Sequence, residues 1–132
     1  MSSARFEMIV PVLPGDIDEQ DHVNNTVYLR WVQDVATAHW RAVAIPDAQE
    51  TIGWVVVRHE IDYKAPAILG DEMRLRTWVG KATRLTFERF TQIRRNRDGR
   101  LLSKARTLWC PINAHTSRPV RVSAEVRAQF SI

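Results

Sequence analysis

Between Tyr28 and Val43 the apolar or large residues recur at spacings of three and one without a break: Tyr28, Trp31, Val32, Val35, Ala36, His39, Trp40 and Val43. That pattern is the buried stripe of one amphipathic helix. It predicts a helix over residues 25–44, roughly 30 Å long, with Asn24 or Asn25 as its N-cap. Pro46 ends it, because the residue before a proline avoids the α region. A stripe with two tryptophans needs a broad apolar surface to cover it. Everything that follows in the chain looks suited to provide one.

After a loop holding Asp47 and Gly53, the pattern changes to period two. Met73, Leu75, Thr77 and Val79 alternate with Arg74, Arg76 and Trp78. Leu85, Phe87, Arg89, Thr91 and Ile93 alternate with Thr86, Glu88, Phe90 and Gln92. These read as half-buried antiparallel strands. Residues 54–63 form another strand, and Asp98-Gly99 marks a hairpin leading into residues 100–111. An edge strand over residues 6–13 precedes the helix, with Pro11 interrupting its ladder. Residues 123–130 read as a short helix capped by Ser123. The expected class is α+β: a curved antiparallel sheet wrapped around one long central helix.

At 132 residues the chain suits one domain, expected over residues 1–132, and its 45% hydrophobic content is enough for a core. Apolar runs such as residues 54–57 fall far short of the ~20 residues needed to span a bilayer, so no membrane association is expected. One cysteine, Cys110, excludes an intramolecular disulfide or a thiolate metal cage, and a reducing cytoplasm is the expected compartment. The net charge of +4 is unevenly spread. Residues 1–73 hold five Lys/Arg against twelve Asp/Glu, residues 74–106 eleven against two, and residues 107–132 three against one. The basic middle fits a phosphorylated small molecule, an acidic carrier protein or nucleic acid. Nucleic acid is disfavoured, because the tryptophans and phenylalanines sit at core-like positions and are not interleaved with the arginines. No metal site is expected, since His59 and Glu60 point to opposite faces of a strand.

The unusual segment is residues 15–28, GDIDEQDHVNNTVY, where four carboxylates, one imidazole and two carboxamides crowd the start of the helix. One or two such residues would serve as caps. The excess implies a demand beyond capping.

Read as D-x-D-x-x-x-H-V-N-N-x-x-Y-x-x-W, the segment resembles the motif of hot-dog-fold thioesterases, in particular the 4-hydroxybenzoyl-CoA thioesterase-like group and the plant acyl-ACP thioesterases. Ile61-Asp62-Tyr63 with Pro66 and Gly70-Asp71, Thr77-Trp78-Val79, and Thr116-Ser117-Arg118-Pro119 with Val122 and Glu125 are similar to that family too. The resemblance implies a hot-dog fold and hydrolysis of acyl-CoA, with no cofactor. It implies Asp18 as the catalytic carboxylate, acting as nucleophile on the thioester or as general base for water. Backbone N–H groups around Asn24 and Asn25 would form the oxyanion hole. His22 would orient the thioester or a water, and Tyr28 would contact substrate. The acyl-ACP enzymes carry Asn where this chain has Gln20, and a glutamate where it has Ala65-Pro66. The second carboxylate is missing, which leaves Asp18 with the chemistry and weakens acyl-carrier protein as donor.

Lys81, Arg84, Arg94 and Arg95 are candidate ligands for the phosphates of coenzyme A, or simply solvated residues flanking turns. The resemblance further implies a homodimer or homotetramer with the site between subunits. A different class of function also fits: a non-catalytic hot-dog domain that binds acyl-CoA or an acyl-carrier protein.

Overall fold

Asn24 starts the long helix as its sequence suggests. Its backbone is extended, and its Oδ1 accepts from the Thr26 N–H and hydroxyl, both at 2.9 Å. In the computed structural model, which describes residues 5–130, strand β1 (Arg5–Pro11) and a 3-10 turn (Pro14–Asp16) precede helix α1 (Asn25–Val43). Pro46 ends α1 but does not lead into the expected loop: it opens a second helix, α2 (Pro46–Thr51). A proline at the first helical position loses no hydrogen bond and has its φ already set. The Gln49 side chain then donates to the carbonyls of Ala44 (2.8 Å) and Arg41 (3.1 Å), answering groups that the end of α1 leaves open.

The strands that follow are β2 (Ile52–Tyr63), β3 (Glu72–Ala82), β4 (Phe87–Arg95) and β5 (Leu101–Asn113), and helix α3 (Ala124–Gln129) comes last. They form one antiparallel sheet in the order β1-β3-β4-β5-β2. β1 is an edge strand, as its proline requires. The other edge, β2, carries an irregularity between Val56 and Arg58, a device that bends an unpaired edge. Gly99 takes φ +72 in the β4–β5 hairpin, where only glycine is unstrained. One face assignment fails. Leu85, expected on the inward row of β4, lies in the β3–β4 turn, is exposed, and sits between Thr83 and Thr86, which bond to each other across it.

The inner face of the sheet covers α1. Trp31, Val32 and Val35 are fully buried with Met73, Leu75, Ile93 and Leu102, each contributing roughly 1.5–3 kcal/mol. The two tryptophans of the stripe part company. Trp31 belongs to this main core, whereas Trp40 is half-buried in a second cluster with Ala44, Ala48, Val126 and Phe130. Two packing centres thus lie along one helix, and the two ends of α1 face different surroundings.

Candidate active site

The loop from Asp16 to Asn24 is held by bonds that leave Asp18 accessible. Buried Asp16 accepts from the Leu13 N–H (2.9 Å) and from Arg30 (3.0 Å), while its carbonyl takes the Asn24 N–H at 2.8 Å. Asp16 is therefore a loop anchor. Ile17 and Val23 form an isolated antiparallel bridge, the Asp18 N–H donates to the His22 carbonyl (2.9 Å), and Asp21 turns the chain at φ 61. Half-buried Asp18 has its Oδ1 held by the Gln20 N–H at 2.9 Å. Among the described residues its Oδ2 accepts no hydrogen bond, so it can accept a proton or attack a carbon.

Asp18, Gln20, His22, Asn24, Asn25 and Tyr28 line one cleft of about 500 Å³. The opposite wall comes from the end of β2: Tyr63, Lys64, Ala65 and Pro66. Ala67 clamps that wall to the helix, with its N–H donating to the Tyr28 hydroxyl (3.0 Å) and its carbonyl accepting from the Val23 N–H (2.9 Å). Burial pushes the hydroxyls of Tyr28 and Tyr63 up, so both remain protonated, and Tyr63 donates to the Asn25 carbonyl at 3.1 Å. Tyr28 is buried with its hydroxyl already engaged, and it offers the cleft mainly ring surface. Asp18 is the one carboxylate among the described residues lining the cleft.

Asn24 and Asn25 separate in role. The Asn24 N–H is spent on Asp16, and the Thr26 N–H on the Asn24 side chain. The Asn25 N–H makes no hydrogen bond among the described residues, and it stands at the positive end of a 19-residue helix. His22 is exposed at the rim. Tyr63 and Lys64 were not singled out as site residues from the sequence, where Tyr63 entered only through the Ile61-Asp62-Tyr63 resemblance and the two formed an aromatic-basic pair at a strand end.

The basic candidates do not gather at this cleft. Arg94 donates to the Gly99 carbonyl and Arg95 pairs with Asp98, so both brace the β4–β5 hairpin. Lys81 and Arg84 lie at the β3–β4 turn. The Met73 end of β3 joins the segment that closes the cleft, and from there to Ala82 is nine residues, roughly 30 Å of extended strand.

With this geometry the chain can be set beside known proteins. The profile of the thioesterase-like superfamily matches residues 12–130. The chain belongs to that superfamily. It is thereby an enzyme of the thioesterase class, with the hot-dog architecture expected from its motif. Among solved structures it is similar to a Staphylococcus aureus protein in complex with CoA (TM-score 0.86, 18% identity, 99% of this chain and 84% of the other). It is also similar to a Thermus thermophilus thioesterase complexed with coenzyme A and zinc (0.82, 23%, 96% and 97%). A 1,4-dihydroxy-2-naphthoyl-CoA thioesterase from Synechocystis is a third (0.81, 17%, 96% and 95%). No curated protein sequence matches the chain. Among the described residues no helix is long and apolar enough to cross a membrane.

One feature of this thioesterase-like chain escaped the sequence reading. Arg89, on the inward row of β4, is 8% exposed, and its Nη1 lies 2.9 Å from His39 Nδ1 and 3.2 Å from Thr77 Oγ1. Its place in an inward-facing row was the available sign.

Proposed function

We propose that this protein hydrolyses acyl-CoA thioesters to a free acid and CoA, with Asp18 as the reactive carboxylate. The observation that carries the reading is the pairing, in one cleft, of an Asp18 oxygen without a hydrogen-bond partner and the open Asn25 N–H at a helix start. Asp18 either attacks the thioester carbonyl, forming a mixed anhydride that water then cleaves to the free acid after the CoA thiolate has left, or removes a proton from an attacking water. In both routes the carbonyl oxygen becomes an oxyanion, and the Asn25 N–H with the helix dipole answers it. His22 orients the thioester or water from the rim.

A second copy of the chain fits this reading. β2 is an uncovered twelve-residue edge with Val55 and Val57 exposed at 44% and 55%, surface that pairing between copies would hide. Association would also give Lys81 and Arg84, remote within one chain, a route to the phosphates of CoA bound in the partner's cleft.

The experiment is CoA release from a panel of acyl-CoAs, read with a thiol reagent, for the wild type, Asp18→Asn and Asp18→Ala. We expect both variants to stay folded by circular dichroism and to lose turnover. Full activity in either removes Asp18 from the mechanism. Binding of acyl-CoA by the wild type without CoA release would establish the non-catalytic reading instead. Sedimentation velocity tests the second copy, and a monomer at assay concentration would sink that part.

A further inference from the structure

A second cavity, of about 300 Å³, opens at the other end of α1, between its C-terminal half, α3 and the sheet. Trp40 is twelve residues along the helix from Tyr28, roughly 18 Å, so this cavity is separate from the Asp18 cleft. Its walls are aromatic. Trp40 meets Trp54 edge-on at 5.4 Å and stacks on Phe130 at 5.6 Å, and Trp54 meets Phe87 edge-on at 5.1 Å.

The polar groups of this lining do not balance. Arg89 lines the cavity while almost wholly buried, and among the described residues no carboxylate lies within ion-pair distance of it. Burial brings its pKa down to about 10, so it is charged at neutral pH. The wall also holds three buried donors without acceptors among the described residues: the indole N–H groups of Trp54 and Trp109, and Arg127 Nε. Glu88 is the lining carboxylate, and both its oxygens are engaged, one by the Lys81 N–H and the other by Arg106. Burying a cation without a counter-charge is costly, and native proteins rarely leave buried donors unmatched. An occupant with an anionic acceptor and an apolar body would answer both deficits.

We propose that this cavity is a binding site for a small hydrophobic monocarboxylate, its carboxylate on the Arg89 guanidinium and its apolar body among Trp40, Trp54, Phe87 and Phe130. A guanidinium and a carboxylate match in charge and in planar geometry. The volume is roughly ten times the ~30 Å³ share of a water molecule in the liquid, room for an aryl or medium-chain acid. The lining fits the usual pattern of small-molecule sites, mostly apolar with a few convergent polar groups. The site does not depend on the reading of Asp18.

The test titrates the full-length Asp18→Asn protein with phenylacetate, octanoate and the neutral isostere phenylacetamide, followed by tryptophan fluorescence and calorimetry. Using that variant keeps chemistry at the other cleft out of the signal, and its outcome is distinct from that of the CoA-release assay. The acids should bind at least tenfold more tightly than the amide. Arg89→Gln should weaken acid binding at least tenfold, and Val79→Phe, which fills the cavity from β3, should abolish it while leaving Arg89 in place. Saturating CoA should not displace the acid. Equal binding of acid and amide, no binding of either acid, or unchanged acid binding in Val79→Phe would overturn the proposal. If Arg89→Gln does not fold, the amide comparison and Val79→Phe decide the matter.

Discussion

Arg89 Nη1 lies 2.9 Å from Nδ1 of His39, which is fully buried on α1. A guanidinium has no acceptor, so Nδ1 must accept and the ring proton sits on Nε2. The Phe6 ring stacks on the imidazole at 5.3 Å and fixes its plane. Removing His39 leaves a buried cation short of an acceptor, whereas removing both partners leaves neither deficit. We expect His39→Phe to cost about 2–4 kcal/mol in urea unfolding. The double variant His39→Phe/Arg89→Met should cost at least ~1 kcal/mol less than the two single costs added together. Strict additivity would show that the contact carries no coupling.

Asn24 links helix stability to site geometry. Its side chain caps α1, while its N–H ties the helix start to Asp16. Asn24→Ala should lower stability by about 1 kcal/mol, and Asn24→Ser, which keeps a capping oxygen, by much less. Because the backbone bond to Asp16 survives in both, any activity lost by Asn24→Ala should largely return in Asn24→Ser. A Ser variant as impaired as the Ala variant would mean that the carboxamide itself touches substrate.

The long helix was legible because eight residues keep a single stripe from Tyr28 to Val43, and periodicity over about four turns leaves little room for another reading. α2 was not, since six residues carry no period and only the packing of Gln49 on the end of α1 shows it. Period two placed Arg89 on an inward row, yet pattern alone cannot tell that such an arginine finds His39 from another element. The motif brought Asp18, His22 and both asparagines to one place. It could not show that Asp16 takes the Asn24 N–H and leaves the Asn25 N–H open. Lys81 and Arg84 looked suitable by charge, but the length of β3 puts them at the far end, and only three-dimensional register reveals that.

His59 gives a pH dependence. Its Nδ1 is 3.0 Å from the Thr107 hydroxyl, its Nε2 is buried without a partner among the described residues, and burial lowers its pKa below the ordinary ~6.5. The fold therefore favours the neutral ring. Above about pH 6.5 the ring is neutral folded or unfolded, and this contribution is fully present. As pH falls below that, the unfolded chain takes up a proton that the native state resists, and stability is lost. Urea midpoints at pH 7.5 and 5.5 should drop more for the wild type than for His59→Gln. Equal drops would assign the acid sensitivity to other groups.

Asp21 closes the turn that carries Asp18, the carboxylate of the proposed mechanism. With φ at 61 it closes a turn in which its N–H donates to the Asp18 carbonyl (3.1 Å), and the Asp18 side chain folds back onto the Gln20 N–H. Aspartate tolerates the left-handed region and glycine enters it freely, but a β-branched residue pays about 1–2 kcal/mol there. Asp21→Gly should thus keep both stability and CoA release. Asp21→Val should lose stability by that amount and should lower kcat more than KM, because the turn that orients Asp18 is disturbed while the rest of the cleft stands. If Asp21→Gly loses activity as severely as Asp21→Val, the Asp21 carboxylate rather than the turn is what the reaction needs.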